Sequence, residues 1–170
     1  MQNKLNLIMR GGRVKRYHVM DTLKQQTVAE HSFGVAWLVW LLCDGRPSVE
    51  LVMAALQHDL AEHVTGDLPA PAKRSLGISK QFEEYESAIM ADARMPQVML
   101  TQAERRTLKF ADTCDLMLYC LREMELGNYG IHEVYKRGRQ YICELGERST
   151  KESELYNYIQ GVERELVSKH

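Results

Sequence analysis

The stretch "LVMAALQHDLAEHVTGDLPAP", residues 51–71, begins as an apolar helix and then sets His58, Asp59, Glu62 and His63 within two turns. Burying such groups without partners costs on the order of several kcal/mol, so they either face water or gather around something. On a helix His58 and Glu62 are four residues apart and Asp59 and Glu62 three, which places these three side chains on one side of the last turns. The metalloprotease pattern HExxH is absent. Its inverted form HxxEH is absent too, because Asp59 stands where that pattern needs a histidine.

Two further segments supply matching chemistry. "TVAEHS" puts His31 one turn into a capped, mostly apolar helix, and "LKFADTCDLMLYC" puts Asp112 inside the apolar stretch of a long one. A lone histidine in such a place is ordinarily a hydrogen-bonded core residue, whereas a lone aspartate there demands a partner. Together His31, His58, Asp59 and Asp112 offer two imidazoles and two carboxylates from three helices. That mixed nitrogen and oxygen set suits a divalent transition metal with positions left for water or substrate.

The elements that must position these groups have helical periodicity almost throughout. Thr27 with Glu30 forms a capping-box pattern that opens a helix ending at Gly45 and Pro47. A second helix is expected from about Ser48 to His63, followed by a Gly- and Pro-rich loop, "VTGDLPAPAKRSLG". A third covers about Ser79 to Arg94. Thr101 with Glu104 repeats the capping box and opens a long helix to about Leu126, where Gly127 and Asn128 break the chain. Helices at about His132 to Leu145 and Ser149 to Val167 complete an all-α, irregular bundle of five to six main helices. No linker interrupts it, so residues 1–170 are read as one domain.

Bulk properties exclude some classes of function. With 45% apolar and 26% charged residues the chain has an ordinary globular composition, and a net charge of −1 gives no overall attraction to a nucleic acid polymer or an anionic membrane. The longest apolar run, "FGVAWLVWLLC", is too short to span a bilayer, and the N-terminal segment has no signal-peptide core. Cys43, Cys114, Cys120 and Cys143 form no CxxC pair and read as reduced, buried thiols of a cytoplasmic protein.

The order His…His-Asp…Asp on helices resembles the HD-domain phosphohydrolase superfamily. The blocks "KRYHVMDTLKQQTVAEHS", "HDLAEHVTGDLPAPAK" and "LKFADTCDLMLYCL" are similar to its bacterial 5′-deoxynucleotidase branch and to bacteriophage dATP triphosphohydrolases, over roughly residues 10–125. The resemblance implies an HD-domain fold in the cytoplasm of a bacterium or a phage-infected host. It implies a divalent ion (Zn, Co, Mn or Mg) held by His31, His58, Asp59 and Asp112, with Glu62 aligning or deprotonating the attacking water. Asp67, in "TGDLP", would line the same cavity, assisting proton transfer or helping Glu62 to hold a second cation.

Cations follow on the substrate side. Arg10, Arg13, Lys15 and Arg16 crowd "RGGRVKR", which lacks the Walker A spacing; the first three read as a solvated basic segment. The resemblance places Arg16 against substrate phosphate, where a guanidinium grips two oxygens, and Lys73 and Lys109 at positions that face phosphates. Tyr17 and Val19 offer an aromatic and a branched aliphatic side chain for the walls of a base slot, or pack beneath the first helix. The branch's bacterial members have Trp-Pro-Leu after this arginine; Arg16-Tyr17-His18-Val19 is closer to the phage form. His63, His132 and His170 are assigned to surface or packing.

The expectation is an enzyme cleaving 2′-deoxynucleotides, with dATP giving deoxynucleoside and triphosphate as the leading case. Release of phosphate from deoxynucleoside monophosphates, or action on another phosphoester, are the enzymatic alternatives. A structural metal site in a non-enzymatic module is the third, and Glu62, Asp67 and Lys109 argue against it. Family relatives assemble, and the tyrosines of the last two helices (Tyr135, Tyr141, Tyr156, Tyr158) are candidate contacts of a homo-oligomer.

Overall fold

The computed structural model describes residues 1–168, and His170 lies outside them. Its elements run α1 (Gln2–Gly11), α2 (Val28–Leu42), α3 (Val49–Gln57), α4 (Glu62–Thr65), α5 (Ala70–Ser75), α6 (Ser79–Asp92), α7 (Gln102–Glu125), α8 (His132–Glu144) and α9 (Thr150–Val167), with a 3₁₀ turn at Tyr129–Ile131. The architecture is all-α, as the periodicity requires, with a few more helices than the sequence suggests. The capping boxes of Thr27 with Glu30 and Thr101 with Glu104 both form, and Ser149 with Glu152 makes a third at the start of α9.

The core is organised around α7, against which α2, α3, α8 and α9 pack. Phe110, Ala111, Cys114, Met117 and Cys120 of α7 are fully buried, against Val35 and Val39 of α2, Tyr135 and Ile142 of α8 and Ile159 of α9. Cys114 and Cys120 are the buried thiols that apolar surroundings favour; Cys143, by contrast, is exposed on α8.

Three departures from the sequence reading bear on the site. The expected helix from Ser48 to His63 ends at Gln57, because the His58 ring donates from Nδ1 to the Ala55 carbonyl at 2.9 Å and the following backbone bonds tighten to Leu60→Gln57 and Glu62→Asp59. The chain turns sharply there and restarts as α4. Within the expected loop, Pro69 and Pro71 open α5; a proline in the first helical turn gives up an N–H that would have no partner anyway. Finally, α1 runs into the basic segment, ending on Arg10 and Gly11, and meets the turn after α3 closely: a Cβ on Gly11 would stand 2.6 Å from the Leu60 carbonyl oxygen.

Between α1 and α2 the chain forms a loop pinned at its base by Arg16 N–H to Gln26 O (2.9 Å) and Val28 N–H to Val14 O (2.9 Å). Its outer part is stapled to α7. The buried Glu123 carboxylate accepts from Leu23 N–H (2.7 Å) and Lys24 N–H (2.6 Å), and the Tyr119 hydroxyl donates to Lys24 O (2.7 Å). The loop carries Arg16 to Asp59, just after α3, and Tyr17 onto Tyr119 of α7. Among the described residues, no helix is long and apolar enough to cross a membrane.

Candidate active site

His31, fully buried on α2, is the centre of the cluster. Its Nε2 lies 3.1 Å from Asp112 Oδ1, 3.2 Å from His58 Nε2 and 3.6 Å from Asp59 Oδ2, and His58 Nε2 is 3.4 Å from that same oxygen. The side chains of His31 and Asp59 are 0% and 19% exposed and that of Asp112 is 31% exposed, so the cluster opens to solvent on the α7 side.

The protonation pattern tests whether a cation fits. His58 Nδ1 faces a carbonyl, which only accepts, so it carries the hydrogen and leaves Nε2 bare. His31 Nδ1 faces the Asp115 carboxylate at 2.6 Å and likewise donates. In the neutral rings two nitrogen lone pairs then point at one another across 3.2 Å, beside two carboxylate oxygens. That arrangement needs a positive species between its members. Ligands held at about 2.0–2.2 Å from one ion stand roughly 3–3.5 Å apart; the distances from His31 Nε2 to Asp112 Oδ1 (3.1 Å) and to His58 Nε2 (3.2 Å) fall in that range, while His58 Nε2 and Asp112 Oδ1 stand wider apart at 4.0 Å. His31, His58 and Asp112 each offer one ligand atom within 4.8 Å of the others, a set that could hold a metal ion. Asp59 borders it, and its Oδ2 is also held by Arg16 Nη1 at 2.5 Å.

The electrostatics agree. Burial opposes charge on His31, but hydrogen bonds to Asp112 and Asp115 outweigh it and raise the ring to about 9, so a proton can bridge His31 and Asp112 where a cation would. Asp112 is held far below the carboxylate range despite burial, chiefly by His31, and Asp59 is lowered by His58, Arg16 and His31. Glu62 goes the other way. It is 6% exposed, its Oε2 has no hydrogen-bond partner, and burial, with Asp59 and Asp67 beside it, pushes its carboxyl up to about 9.

The other expected residues are placed as follows. Asp67 is close enough to Glu62 and Arg16 to act on their charges, but its Oδ2 accepts from Tyr17 N–H at 3.0 Å. That bond holds Tyr17 at a φ of 55°, a left-handed conformation unusual for an aromatic residue. The Tyr17 ring stacks on Tyr119 at 4.5 Å with planes 4° apart, so one of its faces is covered, and Val19 is exposed. Lys73 feels Glu62, yet its Nζ lies 3.7 Å from Glu86 Oε1 and 4.1 Å from the centre of the Phe82 ring. Lys109 is exposed one turn before Asp112. His63 bonds the Leu60 carbonyl and His132 pairs with Glu163.

Sequence reasoning passed over Asp115, Gln26, Gly34 and Glu86. Asp115 takes the His31 Nδ1 hydrogen and also accepts from Gln26 Nε2 at 3.1 Å. Gly34 makes the room, because a Cβ there would overlap Asp115 Oδ1. A second aspartate three residues after Asp112, on the same apolar helix, was the available signal for this one.

A family model described as "5′-deoxynucleotidase YfbR-like" matches residues 4–157. A dATP triphosphohydrolase of Salmonella phage PMBT28 is 34% identical over 152 residues, covering 81% of this chain and 77% of its own. A 5′-deoxynucleotidase of Vibrio atlanticus is 26% identical over 168 residues, covering 84% of each chain. The fold is shared with the HD phosphohydrolase of cyanophage S-2L bound to dA and one catalytic Zn2+ ion, at a TM-score of 0.68 and 21% identity over 94% of this chain and 96% of that one. The sequence blocks imply a cation site of His31, His58, Asp59 and Asp112 on such a helical frame, and three of these, His31, His58 and Asp112, form the set that could hold a metal ion. The chain belongs to the YfbR-like 5′-deoxynucleotidase family and is an HD-domain, metal-dependent phosphohydrolase.

Proposed function

We propose that the chain, as a single HD-type domain over residues 1–170, hydrolyses 2′-deoxynucleoside triphosphates to deoxynucleoside and inorganic triphosphate, with dATP the preferred substrate. The observation that carries this reading is the supply of cations from three separate segments: Arg16 in the first loop and Lys73 on α5 both act on Glu62, and Lys109 on α7 is one turn before Asp112 of the His/His/Asp cluster. A polyphosphate uses all three; a single phosphate needs fewer. The phage relative at 34% identity, a dATP triphosphohydrolase by name, supports the same choice.

His31, His58, Asp59 and Asp112 would hold the divalent ion. When bound, that ion supplies Lewis acidity toward a phosphoryl oxygen and toward water. Glu62, whose Oε2 is buried without a hydrogen-bond partner, would accept the proton of the water that attacks the α-phosphorus, the bound cation beside it keeping its carboxyl ionised. The P–O5′ bond breaks and the O5′ oxygen leaves as the protonated 5′-hydroxyl. Asp67 stands beside Glu62 and either passes this proton on or helps to hold a second cation. Tyr17, whose ring lies under the Arg16 guanidinium at 5.6 Å and against Tyr119, would contact the base once Arg16 exchanges Asp59 for phosphate oxygens, with Val19 as the opposing wall.

One observation favours a second reading, 5′-deoxynucleotidase action on deoxynucleoside monophosphates. Arg16 is paired with Asp59 and Lys73 with Glu86, which lowers the positive charge open to a long polyphosphate. Incubation with each dNTP and dNMP in Zn2+, Co2+, Mn2+ or Mg2+ separates the two. Inorganic triphosphate with deoxyadenosine supports the first, and phosphate from monophosphates alone supports the second.

A further inference from the structure

Gln26 holds two parts of the site from one position. Its backbone carbonyl accepts the Arg16 N–H at 2.9 Å, and its side-chain Nε2 donates to Asp115 Oδ2 at 3.1 Å. The neighbouring Gln25 donates from Nε2 to the Arg16 carbonyl, so this pair of glutamines takes both backbone groups of Arg16. One residue further on, Thr27 caps α2 and its carbonyl accepts the His31 N–H at 3.0 Å. Residues 25–27 thus join the arginine expected to meet phosphate to the histidine expected to meet the cation.

The Gln26 amide has one workable orientation. Asp115 Oδ2 accepts the His31 Nδ1 hydrogen at 2.6 Å and has a second lone pair, which Gln26 Nε2 fills. Turning the amide over would set Oε1, an acceptor, against a carboxylate oxygen. The other oxygen, Asp115 Oδ1, uses the space that Gly34 leaves open, where a Cβ would stand 2.0 Å from it. Asp115 is therefore located at both oxygens, one by the missing side chain on α2 and one by Gln26. The orientation also carries a cost: Gln26 Oε1 is buried and has no hydrogen-bond partner. An unsatisfied buried acceptor is destabilising, and native proteins contain few of them. A residue that served packing alone would not need an amide here.

We infer that Gln26 is a positioning residue of the cation site. By holding Asp115 it keeps the hydrogen on His31 Nδ1 and leaves Nε2 turned toward the cation, and it does so from the residue that also sets the register of Arg16. It acts through Asp115 rather than on the ion or the nucleotide. Partners of this kind behind a metal-binding histidine fix the ring's tautomer and orientation, and here the partner of the partner is fixed as well. The inference rests on His31 as a cation ligand and is independent of which nucleotide is cleaved.

Gln26→Met keeps the length of the side chain and drops both polar atoms, and calorimetric titration of the full, cation-free chain with Zn2+ alone tests it. Affinity should fall about 10-fold, at the lower end of what losing such a partner does. The decisive comparison is with Asp115→Ala: added to that variant, Gln26→Met should change affinity less than about twofold, because the group it acts through is gone. Equal affinities for the parent and Gln26→Met overturn the inference, as does a full loss on top of Asp115→Ala. Thermal melts of the cation-free proteins separate the roles, since a packing residue would lower the melting point and leave the affinity alone. A parent that takes up no Zn2+ removes the cation site itself, and the inference with it. Should Gln26→Met fail to fold, the parent suffices. Its Gln26 side-chain amide signal in 15N NMR should move with the His31 ring nitrogens as Zn2+ is added, and a His31 that responds while Gln26 does not overturns the inference.

Discussion

His31 spans two carboxylates of α7 with one ring: Nδ1 is 2.6 Å from Asp115 Oδ2, and Nε2 is 3.1 Å from Asp112 Oδ1. The two aspartates are three residues apart, one turn of the helix, and the ring lies between them. Asp115 decides which nitrogen carries the hydrogen, and so which nitrogen is free for a cation. A carboxylate behind a metal-binding histidine has this effect in many sites.

Asp115→Ala should therefore weaken binding of Zn2+ or Co2+ about 10–100-fold with the helical content intact. Asp115→Asn, which keeps an acceptor for the Nδ1 hydrogen, should fall between the variant and the parent. Calorimetric titration with circular dichroism on the same samples checks both. Equal affinities for all three proteins would remove Asp115 from the site.

Glu62→Gln separates catalysis from stability. Turnover should drop on the order of 10²–10⁴-fold, the usual contribution of a positioned base, with cation affinity within a few-fold of the parent. Stability should move in the opposite direction. The folded carboxyl is raised from 4.5 to about 9, so the parent's stability is complete below pH 4.5 and is lost as pH rises toward 9. In the cation-free protein Glu62→Gln should thus melt higher than the parent at pH 8, with little difference at pH 4. Thermal melts at the two pH values measure it.

Glu123 gives the reverse pH dependence at a distance from the chemistry. Burial raises this carboxyl, but Asn128 Nδ2 and the N–H groups of Leu23 and Lys24 outweigh it and hold it below its ordinary value. Its stabilisation is present above pH 4.5 and is lost as pH falls through the folded value. Glu123→Gln should cost about 1–3 kcal/mol at pH 7 and less in acid. Because this bond set staples the loop carrying Arg16 and Tyr17, KM should rise more than kcat falls. Urea melts at several pH values, with steady-state kinetics, check both parts.

Much of this was legible in the sequence, and the remainder was hidden for identifiable reasons. His31, His58 and Asp112 declared themselves because ionisable groups on apolar helix faces demand partners, and two capping boxes fixed where α2 and α7 begin. The break after Gln57 was not visible, since "HDLAEH" is made of residues that a helix accepts; a side-chain bond to the Ala55 carbonyl ends it. Pro69 and Pro71 read as breakers but start a helix. Glu86 was passed over because nothing local separates it from the solvated acids of α6; only the packing of α5 on α6 puts it beside Lys73.

The number of phosphates can be read from the lysines. If a polyphosphate is the substrate, Lys109→Ala and Lys73→Ala should each raise KM for dATP about 10-fold or more, as loss of a charge-assisted contact does, with a smaller effect on dAMP. Initial-rate measurements on both nucleotides decide it. Equal effects on both would favour the monophosphate reading.

The central claim is that three helices converge on one cation, and anomalous diffraction from crystals grown with Co2+ or Zn2+ tests it most directly. A peak within about 2.0–2.2 Å of His31 Nε2, His58 Nε2 and a carboxylate oxygen of Asp112 is the predicted result. Crystals in which that position shows no peak at saturating metal, or in which the ion binds only elsewhere, would contradict it.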